Sequence, residues 1–180
     1  MSAHKFILLD RDGVINHDSD NYIKSATQWR PIDQSIEAIA LLNSHGYKVI
    51  VITNQSGLAH GYFDIATLQK MHEKMHTLVK QQGGKIEAIY YCPHKPEDHC
   101  DCRKPKPGLL IQCSEDYDFQ LKETFFIGDK LSDIQAAQSA GATPLLVKTG
   151  KGLRTLTNNP TLTINIFNNL YDCAQFIISR

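Results

Sequence analysis

The chain is constrained above all by its punctuation: short apolar runs break off into unusual polar sequences and alternate with stretches of helical periodicity. Phe6 to Leu9 stops at Asp10. Tyr47 to Thr53 contains Val-Ile-Val-Ile, and Ile86 to Tyr91 runs into a Cys/His/Pro segment. Thr124 to Ile127 stops at Gly128-Asp129, and Pro144 to Val147 follows. Runs this short and this rich in β-branched residues predict buried strands. Between them, Ser35 to His45 (stopped by Gly46), Asp64 to about Gln82, a segment opening at Pro107, Leu131 to Ala140, and Leu170 to Ile178 predict helices. Thr161 to Phe167 is a further strand candidate. Strands alternating with helices specify an α/β fold, a Rossmann-like parallel sheet wrapped on both faces. The 180 residues fit one domain, 1–180, and neither the stretch from Gly13 to Pro31 nor the polar loop 92–104 is long enough for a large cap.

In such sheets a ligand sits beyond the carboxyl ends of the strands, where the polar sequences of this chain gather. Asp10 and Asp12 lie two residues apart where a strand runs out, and Gly13 permits a sharp turn. Carboxylates there can hold a hard cation such as Mg²⁺. One carboxylate can attack a phosphoryl group while the other protonates the leaving oxygen. Thr53-Asn54-Gln55-Ser56-Gly57 offers a hydroxyl and free N–H groups to phosphoryl oxygens. Arg103 and Lys104, stiffened by Pro105 and Pro107, offer positive charge. Asp129 is a further carboxylate at a strand end, with Lys130 beside it. Asp133, in the first turn of the next helix, is expected to pair with the helix dipole. Each signal alone also describes an ordinary polar turn.

Cys92, His94, Cys100 and Cys102 supply three thiolates and one imidazole, a complete set for tetrahedral Zn²⁺ with no ligand place left open, which makes a structural site. His99 is a spare ligand nearby. Cys113 and Cys173 stand in apolar settings and are expected in the core.

Nineteen basic side chains balance nineteen acidic ones, which argues against a nucleic-acid or acidic-membrane partner. Met1 to Lys5 lacks the marks of a signal peptide, and no apolar run approaches the length of about 20 residues that crosses a bilayer. A soluble cytoplasmic monomer is expected.

In this order, the four strand-end motifs resemble the haloacid dehalogenase superfamily of phosphohydrolases from about Phe6 to Val147. The resemblance implies Asp10 as nucleophile, Asp12 as general acid/base, Thr53 and Lys104 as holders of the phosphoryl group, and Asp129 as an acidic Mg²⁺ ligand. It also implies that Asp10 and the backbone carbonyl of Asp12 complete the Mg²⁺ set. A zinc loop ahead of Arg103-Lys104-Pro105 resembles two groups of that superfamily, one acting on D-glycero-D-manno-heptose 1,7-bisphosphate in lipopolysaccharide heptose assembly, the other on histidinol phosphate. Asp10 to Ser25, Trp29 to Ile32 and Thr53 to Gly61 resemble the heptose group more. That likeness implies removal of the 7-phosphate from a small phosphorylated sugar, with Arg103 recognising substrate and Ser19, Asp20, Asn21 and Tyr22 lying over the sugar. Arg11, Asn54, Gln55, Ser56 and Lys130 are the remaining substrate-binding candidates. A non-catalytic zinc-stabilised binding module is the alternative from another class, but it would need no nucleophile and acid pair.

Two patterns are read as decoys. His72-Glu73-Lys74-Met75-His76 fits the His-Glu-x-x-His protease motif. However, Leu68, Met71, Met75, Leu78 and Val79 form an apolar stripe that leaves the histidines on the exposed side. Lys148-Thr149-Gly150-Lys151-Gly152 lacks the spacing of a phosphate loop and is expected to be a flexible turn.

Overall fold

The computed structural model describes residues 5–180. Six strands form one parallel sheet: β1 (Lys5–Leu9), β2 (Tyr47–Asn54), β3 (Ile86–Cys92), β4 (Phe125–Gly128), β5 (Thr143–Val147) and β6 (Asn165–Phe167). Their order across the sheet is β3-β2-β1-β4-β5-β6. The chain thus winds outward from β1 to β3, then returns to β1's other side and winds the opposite way. The reversal lies between β1 and β4, where a crevice opens at the strand tips.

Alternation along β1 builds two cores. Ile7 and Leu9 face one side with Val49, Val51 and Ile127, under α1 (Ser35–Ser44), α2 (Ile65–Gln81) and α6 (Leu170–Ile178). Phe6 and Leu8 face the other with Ile50, Ile52 and Phe126, under α3 (Gly108–Asp116) and α4 (Leu131–Ala140). Each large apolar side chain so buried contributes about 1.5–3 kcal/mol, so central strands covered on both faces are rigid mounts for whatever stands on their tips. Cys113 and Cys173 are buried, one in each core. Asp64 caps α2 by accepting from the Thr67 N–H (2.8 Å), as its position in the sequence predicts.

Two regions depart from expectation. The sixth strand is only Asn165–Phe167. The segment after β5 is a tight turn that leads into an additional helix, α5 (Gly152–Asn158). Its glycines mask helical periodicity in the sequence, and its contacts lie far away along the chain.

Candidate active site

Asp10 follows β1 directly, its N–H donating to the Ile127 carbonyl of β4 (2.9 Å). Its carboxylate is buried. Oδ1 accepts from the Arg11 N–H (2.8 Å) and from Lys104 Nζ (2.9 Å). Oδ2 has no hydrogen-bond partner among the described residues and is the oxygen left for chemistry. Burial, and then the charge of Asp133, push the Asp10 carboxyl up to about 6 against the pull of Lys104.

Lys104 is 3% exposed, and its ammonium reaches Asp10, Asp133 Oδ1 (2.7 Å) and the Ile52 carbonyl (2.9 Å). Burial disfavours its charge, but Asp10 and Asp133 outweigh that and raise its pKa. The Lys104 backbone is held at both ends by the Asn54 amide, which donates to its carbonyl (3.1 Å) and accepts from its N–H (3.1 Å). Asn54 therefore orients the lysine as well as lining the cleft.

Asp12 points away from Asp10 into a ring of donors. Arg11 forks onto it (2.9 and 3.1 Å from Nη2), and the Asn16 and Gln55 amides donate to it at 2.8 and 2.9 Å. Burial favours its neutral form, but the Arg11 charge and the Asn16 hydrogen bond hold the carboxyl down to about 2. Gln55 also donates to Thr53 Oγ1 (2.9 Å), so one amide fixes both the expected acid/base and the expected phosphoryl-holding hydroxyl. Arg11 is fully buried, its free arm against His72 Nε2 (3.2 Å). Its charge is committed to Asp12, so its contact with the cleft is secondary to orienting that carboxylate. His72 correspondingly sits half-buried and not on the open face of α2. His76 is exposed, and neither belongs to a metal-ligating cluster among the described residues.

Asp10, Asp129 and Asp133 bring carboxylate oxygens within 4.8 Å of one another. The sequence places Asp133 in the first turn of α4, where the expectation is pairing with the helix dipole. It does bond the helix start, accepting from the Asp129 and Lys130 N–H groups (3.2 and 3.1 Å), and it also grips Lys104. Asp129 is fully buried, and burial foremost pushes its carboxyl up to about 8. Its Oδ2 accepts from the Lys151 N–H (2.8 Å), while Oδ1 is buried with no hydrogen-bond partner among the described residues, the Lys130 ammonium standing 3.9 Å away. A buried, unsatisfied carboxylate oxygen facing other carboxylates is costly unless a cation completes it. The donor set, all hard oxygen, suits Mg²⁺.

Above this floor lies a cleft of about 620 Å³ lined by Ser19, Asp20, Tyr22, Ser56, Arg103 and Lys130 among others. Asn21 does not line it. It sits at the tip of a turn closed by the Tyr22 N–H on the Ser19 carbonyl (3.2 Å), with Tyr22 at φ 66°, and opens onto a separate groove. Asp20 is held by Arg154 (3.1 Å) and Lys151 (3.1 Å), and Asp18 lies between Lys130 and Lys151 (3.3 and 3.4 Å). No local motif marks Lys151 or Arg154 for these contacts.

Cys92, His94, Cys100 and Cys102 converge, with sulfur–sulfur separations of 3.0–3.6 Å and His94 Nδ1 3.3 Å from Cys102 Sγ. Four ligands at about 2.0–2.3 Å in a tetrahedron stand about 3.5–3.8 Å apart, so the cluster is close to the size zinc requires. His99 lies outside the cluster and lines the cleft. Arg103 donates to the His94 carbonyl (3.2 Å), which ties the cleft wall to this loop.

A parallel sheet whose switch point carries Asp10, Asp12 and Asp129, with Lys104 reaching in from the loop after β3, defines a phosphohydrolase of the haloacid dehalogenase type, and a family model described as HAD-hydrolase-like matches residues 101–173. A Pseudomonas putida D-glycero-beta-D-manno-heptose-1,7-bisphosphate 7-phosphatase is 51% identical over 97% of this chain and 99% of its own length. The enzyme of that name from Pseudomonas aeruginosa is 54% identical over 86% of each chain. A crystal structure of the D,D-heptose 1,7-bisphosphate phosphatase from Bordetella bronchiseptica, complexed with magnesium and phosphate, superposes with a TM-score of 0.95 at 44% identity, covering 97% of this chain and 98% of that one. The chain belongs to the D-glycero-beta-D-manno-heptose-1,7-bisphosphate 7-phosphatase family.

Proposed function

We propose that this chain removes the 7-phosphate of D-glycero-β-D-manno-heptose 1,7-bisphosphate through a phosphorylated Asp10, as a step in making the heptose precursor of lipopolysaccharide. The observation that carries the reading is the buried Asp10 carboxylate, one oxygen fixed by Lys104 and the Arg11 N–H and the other free, in a chain so similar to enzymes of that name. Asp10, the Asp12 carbonyl and Asp129 would hold Mg²⁺, the ion in the Bordetella relative. Bound there, it would offset the repulsion between the phosphoryl group and the carboxylates.

An Asp10 oxygen bonds to phosphorus as the bond to the C7 oxygen breaks, and the departing oxygen takes a proton from Asp12. In the free site Asp12 is a carboxylate, and a phosphate dianion beside it raises its proton affinity, so it gains its proton with the substrate. Asp12 then takes a proton from water, whose oxygen attacks phosphorus and releases Asp10. Lys104 and Thr53 hold the phosphoryl oxygens throughout.

The other phosphate is assigned to Arg103. Lys130 and Lys151, across the cleft, are already neutralised by Asp18 and Asp20, whereas among the described residues the Arg103 guanidinium meets only a carbonyl. A structural Zn²⁺ on Cys92, His94, Cys100 and Cys102 would hold that wall in place. Thiolate ligands need reduced cysteines, which fits a cytoplasmic enzyme.

The test is phosphate release from both anomers of the heptose bisphosphate, histidinol phosphate and simple sugar phosphates, with Mg²⁺ or chelator. The expected outcome is the highest kcat/KM for the β-anomer and no turnover in chelator. Equal turnover of histidinol phosphate, or turnover without divalent metal, would overturn the assignment.

A further inference from the structure

We infer that Thr149, Lys151 and Thr155, which follow β5 and have no counterpart among the strand-end motifs, are positioning residues that set the carboxylate of Asp129 for its cation. The inference rests on the reading of Asp129 as a Mg²⁺ ligand.

Three hydrogen bonds converge. The Lys151 N–H donates to Asp129 Oδ2 (2.8 Å), and the buried Thr155 hydroxyl donates to the Asp129 backbone carbonyl (2.8 Å). The Thr149 hydroxyl donates to the carbonyl of Gly13 (2.7 Å), in the turn that follows Asp12. Asp129 is thereby held at its main chain and at one carboxylate oxygen. The other oxygen, Oδ1, is buried, has no hydrogen-bond partner among the described residues, lies 3.9 Å from the Lys130 ammonium, and shares its space with Asp10 and Asp133.

The packing leaves no slack. A Cβ on Gly13 or Gly150 would run into the Asp129 carboxylate, and both glycines have positive φ (87° and 58°), which a side chain would strain. The stretch Lys148 to Gly152, which reads as a flexible turn, is therefore pressed between the nucleophile loop and the metal ligand. Partners that fix a ligand's orientation commonly govern metal affinity by about 10–100-fold.

The test is isothermal titration of the purified, zinc-loaded protein with Mg²⁺ alone, with melting curves recorded without Mg²⁺ in a chelator too weak to remove the zinc. Asp129→Asn should abolish specific binding. Thr155→Val removes only the hydroxyl and should weaken Mg²⁺ binding about tenfold, and Thr155→Ser, which restores it, should recover the wild-type affinity. Thr149→Val should weaken binding less, because it acts through Gly13. Unchanged Mg²⁺ affinity in Thr155→Val, with or without a lower Tm in chelator, would make the segment mere packing and overturn the inference while leaving Asp129 as a ligand. If wild-type protein binds Mg²⁺ no better than Asp129→Asn, the metal reading fails and the inference with it.

Discussion

Lys104→Met is the most informative single perturbation of this site. The ammonium it removes is buried between Asp10 and Asp133, 2.9 and 2.7 Å from their oxygens, and a third contact goes to the Ile52 carbonyl. Methionine roughly fills the space but leaves two buried carboxylates without a counter-charge. Breaking a buried pair in this way costs about 3–5 kcal/mol. The cost must depend on pH with a definite sign. Without Lys104 the Asp10 carboxyl, already raised by burial, loses the nearest charge that lowers it and titrates still higher in the folded state than in the unfolded one, so the folded state holds more protons. Stability then falls as pH rises from about 4, and the deficit at about pH 7.5 exceeds that at about pH 5. Urea denaturation of metal-free wild-type and variant protein at the two pH values measures this directly. Adding Asp133→Asn should restore about 1 kcal/mol or more, because one of the two stranded charges is gone. Turnover should fall by about 10²-fold or more, since the phosphoryl group loses its charged partner. A variant as stable as wild type, or one whose deficit is the same at both pH values, would refute Lys104 as the neutralising charge of this cluster.

Two further outcomes are expected. Cys100→Ser should lower zinc content, measured by elemental analysis, and lower Tm before it affects kcat; a zinc-free wild-type protein of unchanged Tm would contradict the structural role. In metal-free protein, Asp10 and Asp129 are raised from 3.8 to about 6 and about 8, so their contribution to stability is lost as pH rises between those limits. Mg²⁺ must displace these protons, so the Mg²⁺-induced rise in Tm should grow from about pH 6 to about pH 8; a shift independent of pH would contradict the ligand assignment.

The strand ends were legible because each is a local signal: an apolar run, then a carboxylate, a hydroxyl or a cation. Asp10, Asp129, Lys104 and the cysteine cluster came from such signals; the switch point between β1 and β4 joins Asp10 to Asp129, and Lys104 reaches Asp10 from the loop after β3. What was missed depends on direction or on distance along the chain. Asp133 reads as a partner for the helix dipole and does bond the helix start, and nothing local reveals that its other oxygen meets Lys104. Arg11 and Asn54 stand among cleft residues, yet hydrogen bonds turn the first onto Asp12 and the second onto the Lys104 backbone. Asn21 shares its turn with cleft residues but lies at the tip and faces outward. His72 belongs to a motif that signals protease chemistry, while its ring abuts a buried arginine. Thr155 touches Asp129 across 26 residues of chain, a pairing no sequence period encodes.

The central claim is that Asp10 becomes phosphorylated. Borohydride added to the enzyme during turnover of the heptose bisphosphate reduces an aspartyl phosphate to homoserine, which peptide mass spectrometry locates by residue. The expected result is homoserine at position 10 and nowhere else, dependent on substrate and on Mg²⁺. Unmodified Asp10 in enzyme that is releasing phosphate, or homoserine at position 12 or 129, would contradict the account.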